Sequence, residues 1–275
     1  MKGITIHGHN INNLRYADDS ALVATSQNDL QEIVTKVKIE SGRAGLDMNV
    51  KKTKTMIISR DPESKKVEIK VNNETLQQVD KFTYLGTQIR EDAKTDKELD
   101  RRINIAKERF GSMSKLLTTK RLKLTTKLRI LKCYIYSIFT YGSEAWTLTK
   151  ALEKRVEAFE MWCFRRIGNI SWRDKIKNEK VLDKLGTKRQ LLHDIQSRKL
   201  KYFGHIKRKN NILTTITEGK LEGKRPRGRP RGNWFANIKE WTNRTAHECT
   251  RLASNRHLWS VISRQPSNRD DHTPR

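Results

Sequence analysis

The first ninety residues alternate apolar and polar positions with a period of two, the signature of half-buried strands. "ITIHG" (4–8), "NNLRY" (12–16) and "SALVAT" (20–25) read as strands, with Asp18 and Asp19 at the tip between the last two. "SQNDLQEIVTKVKIESGRAG" breaks the alternation. Leu30, Ile33, Val34 and Val37 fall on one helical face, with Ser26 as N-cap and Gly45 as stop. "KTMIIS" reads as a short strand, "VEIKVNNETLQQV" as a hairpin turning at Asn72-Asn73, and "KFTYLGTQI" as one more strand with Gly86 inside it. Strands with a single helix among them predict an α+β layout.

After residue 92 the period changes to 3.6. Leu99, Ile103, Ala106, Phe110, Met113 and Leu117 form one apolar seam, and Leu124, Leu128, Leu131, Ile135 and Ile138 a second. Leu152, Val156, Phe159, Cys163 and Ile167 form a third, behind a Thr149 cap. A shorter helix covers "NEKVLDKLG", and Thr187 is placed to cap a longer one through "KRQLLHDIQSRKLKYFGHIKR". "GKLEGKRPRGRPRG" (219–232) is neither helix nor sheet, because Pro226 and Pro230 remove donors and the glycines loosen the chain. Trp234, Ile238 and Trp241, then Leu252, Leu258, Trp259 and Ile262, suggest a small terminal helical hairpin. The expected segments are 1–91, 92–145, 146–218, a linker at 219–232, and 233–275.

Charge sharpens this division. The chain has 275 residues and a formal net charge of +27. Residues 1–100 hold 16 Lys and Arg against 16 Asp and Glu, whereas residues 101–275 hold 42 against 15. The helical part therefore carries the whole excess. Neutralising phosphates releases counterions, so nucleic acid is the first partner to consider, ahead of an anionic membrane surface. No apolar run approaches the ~20 residues a membrane span needs. The N-terminus lacks a signal-peptide core, and the expected location is nuclear or cytoplasmic. Cys133, Cys163 and Cys249 are far apart with no CxxC, which indicates neither a disulfide framework nor zinc.

The chemistry centres on "LRYADDSALVA" (14–24). Adjacent carboxylates repel, and a divalent cation between them resolves the conflict. Mg²⁺ takes hard oxygen ligands, often one or two carboxylates plus substrate phosphates. An ordinary polar turn is the other reading of the same pair.

"YADD", followed by "GLDMNVKKTK" and "FTYLGTQI", resembles the later motifs of reverse transcriptases of non-LTR retrotransposons. The basic tail is similar to the C-terminal region of their endonuclease–reverse transcriptase polyproteins. The resemblance implies a partial polymerase palm followed by thumb-like helices. It implies Mg²⁺ or Mn²⁺ held by Asp18 and Asp19, with Tyr16 near the incoming nucleotide and Lys52 or Lys54 at the pyrophosphate. Tyr84, Leu85 and Gly86 correspond to the grip on the primer end, and the implied substrates are an RNA template and a DNA primer or target.

The family's first metal-binding aspartate lies well upstream of Tyr-Ala-Asp-Asp, and only 17 residues precede Asp18. The expectation is a chain inactive by itself, completed either by a second chain supplying fingers and front palm or by upstream sequence, if the reading frame is cut short at its start. Two features do not depend on the palm. "PRGRP" (226–230) has the form of an AT-hook, in which extended arginine lies in a narrow minor groove; Arg225, Arg227, Arg229 and Arg231 are its candidate contacts. All six tryptophans follow residue 145, and "CFRRIGNISWRDK" and "RGNWFANIKEW" interleave them with cations. Such runs either stack on bases or pack a core.

Overall fold

The computed structural model describes residues 3–59, 66–209, 211–217 and 233–266. It is an α+β chain of two compact units. Among the described residues, unit 1 runs to Lys94, and unit 2 takes in residues 95–217 and 233–266.

Unit 1 is built from short strands in two-stranded pairs. β1 (Ile4–Ile6) pairs with β2 (His9–Ile11), and β3 (Asn13–Tyr16) with β4 (Asp19–Leu22), both antiparallel. β6 (Lys70–Val71) and β7 (Glu74–Thr75) form the expected hairpin around Asn72 and Asn73, whose φ values are 52° and 63°. Two left-handed residues give a turn whose twist matches the strands it joins, and asparagine tolerates that region better than most residues. "KFTYLGTQI" is a second case and corrects the single strand expected there. β9 (Lys81–Tyr84) folds back on β10 (Thr87–Arg90) through Leu85 (φ 48°) and Gly86 (φ 76°). Gly86 is the hinge of the turn rather than a guest in a strand. "KTMIIS" contributes only β5 (Lys54–Thr55), which pairs in parallel with β8 (Gln77–Gln78).

Helix α1 (Gln27–Arg43) starts where expected, with the Ser26 hydroxyl accepting from the Asp29 N–H at 3.2 Å. Its buried face holds Ile33 and Val34, and Val34 packs with Ile69, Val71 and Leu76. Gln31 extends this contact beyond apolar packing. Its amide accepts from Lys70 N–H (2.8 Å) and donates to Lys70 C=O (2.9 Å), pairing with the β6 backbone as a neighbouring strand would.

Unit 2 is helical: α2 (Asp96–Ser112), α3 (Ser114–Thr118), α4 (Leu124–Ile130), α5 (Ser137–Phe139), α6 (Lys150–Ile167), α7 (Asn178–Lys184), α8 (Leu191–Lys209) and α9 (Ile212–Thr217). The expected linker at 219–232 lies outside the described residues; beyond it come α10 (Trp234–Thr242), α11 (Ala246–Ser254) and α12 (Arg256–Arg264), three helices in place of the expected hairpin. Thr245 and Glu248 form a reciprocal capping box that starts α11, and the Asn255 side chain accepts from the His257 and Leu258 N–H groups to start α12, so the second expected apolar stripe is itself broken between Leu252 and Leu258. The third seam is realised as read: Thr149 caps α6, and Leu152, Val156, Phe159, Cys163 and Ile167 are all buried.

The second seam departs from its expected course. Between α4 and α5 the helix widens into a π turn over Leu131–Tyr136. Its longer turn shifts the inward face, so Leu131, Ile135, Tyr136 and Phe139 are buried while Ile138 is half-exposed. Helix α8 also begins later than Thr187. The N–H groups of Gln190 and Leu191 both donate to Glu160 Oε1 of α6, each at 3.0 Å. A buried carboxylate from another helix thus does the work of a local cap.

The C-terminal helices are fastened to α8 by Lys199, whose side chain is fully buried. Its Nζ donates to the Trp146 carbonyl (2.6 Å) and to Asn237 Oδ1 (2.9 Å), and lies over the Trp234 and Trp241 rings. Asn237 in turn bonds both the N–H and the C=O of Leu148. Unit 2 has a continuous core of 23 buried apolar side chains, against four in the unit 1 cluster. Each fully buried aliphatic side chain contributes about 1.5–3 kcal/mol, so apolar burial contributes far more to the helical unit than to unit 1.

Candidate catalytic hairpin and basic helical surface

The Tyr-Ala-Asp-Asp segment forms the β3–β4 hairpin. Tyr16 pairs with Asp19 across it, and Ala17 and Asp18 make the two-residue turn. Asp18 therefore stands in the turn and Asp19 opens the returning strand. Ala17 is held at φ 52°, where glycine would be at ease and an L side chain is not. This strain falls directly beside the carboxylate that the sequence marks as functional.

Both aspartates and Tyr16 are exposed, Tyr16 to 67%. The primer-grip-like hairpin meets this one: Tyr84 Oη donates to the Leu14 carbonyl of β3 at 3.2 Å. Tyr84 is thus brought to the hairpin that carries the aspartates, with Leu85 and Gly86 in the turn beyond it. The lysines are placed differently. Lys52 is exposed in a turn where its N–H bonds Asn49 Oδ1 (3.0 Å), and Lys54 lies in β5 with Nζ on Gln77 Oε1 (2.6 Å). Among the described residues, no ion pair joins either lysine to Asp18 or Asp19.

Two adjacent carboxylates can give Mg²⁺ one or two ligands, the rest coming from water or substrate phosphate. Among the described residues, no three His, Cys, Asp or Glu side chains are grouped so as to hold a metal ion. A two-metal centre needs more carboxylates than this pair. Asp18 and Asp19 by themselves do not fit it.

Unit 2 presents a different surface. Of its six tryptophans, Trp146, Trp241 and Trp259 are buried, which decides for packing at those positions. Trp234 is half-buried and donates from Nε1 to the Glu144 carbonyl (2.7 Å). Trp162 is half-buried against Phe110 and Phe159, with Lys107 and Arg166 over its ring. Trp172 alone among them stands out from the protein, 79% exposed. Lys199 was not legible as special in the sequence, because lysine at a helical position ordinarily signals the solvated face. Arg225, Arg227, Arg229 and Arg231 lie outside the described residues. No helix among the described residues is long and apolar enough to cross a membrane.

A hairpin carrying Tyr-Ala-Asp-Asp, a second hairpin bonded to it, and a following basic helical unit define a class. Residues 3–89 match the family model described as reverse transcriptase (RNA-dependent DNA polymerase). The first third of the chain thus carries a reverse-transcriptase segment, and the chain belongs to a family of transposon-derived proteins. A Caenorhabditis elegans protein, described as an uncharacterized transposon-derived protein, is 30% identical over 278 residues; the alignment covers 96% of this chain and 99% of the relative. No solved structure matches the chain.

Proposed function

We propose that this chain binds RNA or DNA through its basic helical unit and does not by itself carry out nucleotidyl transfer. The observation that carries the reading is the separation of the two roles. The carboxylates lie in the charge-neutral front of the chain, exposed and, among the described residues, without a third metal-ligating side chain grouped with them, while the excess of +27 lies behind residue 100. Phosphate binding needs only a positive surface. Polymerisation needs metal, primer hydroxyl and nucleotide held together in register.

The test is primer extension by the purified chain on an RNA template with an annealed DNA primer, nucleotides and Mg²⁺ or Mn²⁺. Asp18→Asn is run beside it, and template retention is recorded across a salt series. Retention that weakens with salt and is unchanged in Asp18→Asn, with no extension, is the expected result. Extension abolished by Asp18→Asn would overturn it.

A second reading is that the chain is a polymerase when another polypeptide completes the palm. It is favoured by the apolar side chains that the two hairpins leave in solvent: Leu14 at 52% exposure and Tyr16 on the first, Phe82, Leu85 and Ile89 on the second. Contiguous exposed apolar side chains mark surfaces that another element covers. On this reading Tyr16, Lys52 and Lys54 recover their nucleotide and pyrophosphate roles. Extension that appears only on adding a separately expressed reverse-transcriptase fingers and front palm would establish it.

A further inference from the structure

Packing explains five of the tryptophans and leaves Trp172 without a structural reason. It sits in a 3₁₀ turn (Trp172–Asp174) between α6 and α7, and its surroundings are held from several sides. Ser171 Oγ accepts from Arg173 N–H (3.2 Å), and Asp174 Oδ2 accepts from Ser171 N–H (2.8 Å). Asn169 Nδ2 donates to the Thr118 carbonyl (3.0 Å), Ile170 is buried, and Arg165 ties the Ile176 carbonyl (2.7 Å) and Asn178 Oδ1 (2.9 Å). The loop is pinned, yet its largest apolar side chain faces water. A pinned indole loses little conformational freedom when something stacks on it.

The neighbouring charges indicate what that is. Arg173 approaches the ring at 5.8 Å from the centroid, near the outer limit of a cation–π contact. Lys175, Lys177, Lys180, Lys184 and Lys188 follow within sixteen residues of Trp172, all exposed. The exposed carboxylates in that stretch are fewer: Glu179, Asp183 and Asp174, the last engaged by the turn backbone. A flat aromatic among cations suits a partner with both π faces and phosphates. In a duplex the base faces are stacked on one another; in a single strand they are accessible.

We propose that Trp172 is a stacking platform for a base of single-stranded nucleic acid, with Lys175 and Lys177 on the adjoining phosphates. This rests on the reading of unit 2 as the nucleic-acid-binding part and goes further, because it makes that part selective for unpaired strands.

The test measures binding of the intact chain to a fluorescein-labelled RNA of about 20 nucleotides, long enough to fill a single-strand site of the usual size. The same sequence as a duplex is the second ligand, and fluorescence anisotropy is read at several salt concentrations. Trp172→Ala is expected to weaken single-strand binding roughly tenfold while duplex binding stays within about twofold. Trp172→Phe should recover most of the loss. Thermal melting should be unchanged, since the side chain is exposed. Lys175→Gln with Lys177→Gln should lower the slope of log affinity against log salt by about 1.4, at ~0.7 per phosphate contact in a single strand. Unchanged single-strand affinity in Trp172→Ala, or equal losses on both ligands, would overturn the platform and leave the binding reading standing. Absence of salt-sensitive binding by the wild-type chain would overturn both.

Discussion

Lys199 Nζ donates to the carbonyl oxygen of Trp146 at 2.6 Å, inside a core where, among the described residues, no carboxylate is bonded to the amine. The two indole rings and two acceptors favour the ammonium, but burial dominates and holds the amine down to about 7 from its usual 10.5. In the unfolded chain the group keeps its ordinary value. Between pH 7 and 10.5 the unfolded state therefore binds more protons, and this site's contribution to stability increases with pH. It is fully present above 10.5 and is lost as pH falls through 7. Melting temperatures of wild type and Lys199→Met, followed from pH 6 to 9.5, should diverge: wild type gains relative to the variant as pH rises. A parallel pair of curves would refute the assignment.

Glu160 should show the opposite sign. Its burial raises the carboxyl, against the Gln190 and Leu191 N–H groups, which lower it. Oε2 is buried without a hydrogen-bond partner. A carboxyl raised by folding contributes stability below its unfolded value that is lost as pH climbs through the folded one. Glu160→Gln keeps an acceptor for the start of α8 and removes the charge. It should abolish that acid-side gain and match or exceed wild-type stability near neutral pH. Glu160→Leu also removes the cap and should cost about 1–2 kcal/mol in denaturant unfolding.

Gly204 is set by a close approach between α8 and α12. A Cβ there would lie 2.3 Å from Trp259 Cδ1 and 2.6 Å from Nε1, and that Nε1 donates to the Leu200 carbonyl at 2.7 Å. Gly→Ala in a helix ordinarily stabilises by roughly 0.5–1 kcal/mol. Here the sign should reverse, with a loss of about 1–3 kcal/mol from overpacking. Urea unfolding monitored by tryptophan fluorescence distinguishes the two.

The contrast in core size predicts the order of proteolysis. A nonspecific protease at low ratio should cut within residues 1–94 before cutting α2, α6 or α8, because local opening is easiest where few apolar contacts are buried. Mass spectrometry showing a resistant 1–94 fragment and early loss of α6 would contradict the stability order.

Much of the fold was legible because local chemistry wrote it. Ser26 and Thr149 start α1 and α6, Asn72-Asn73 turns a hairpin, and the α6 seam is buried residue for residue. The departures came from a long-range interaction, a change of period and a local backbone conformation. Glu160 supplied the start of α8 from thirty residues away, so Thr187 misled. The π turn displaced Ile138 in favour of Phe139, and a fixed 3.6 period does not anticipate that. Leu85-Gly86 turned a strand into a hairpin because leucine accepted a left-handed φ that its identity does not advertise. At the candidate site the hairpin and its two aspartates were readable from four letters. That Tyr84 would bond to the same hairpin, while Lys52 and Lys54 make other contacts, depended on packing across seventy residues.

The pairing of strands in unit 1 bears on how the chain is made. Apart from β5 with β8, every strand pairs with its immediate neighbour in sequence, across two-residue turns. Such contacts close in microseconds and wait for nothing distant. Synthesis adds only about 5–20 residues per second. The aspartate hairpin can thus take its shape on the ribosome while the helical unit is still untranslated.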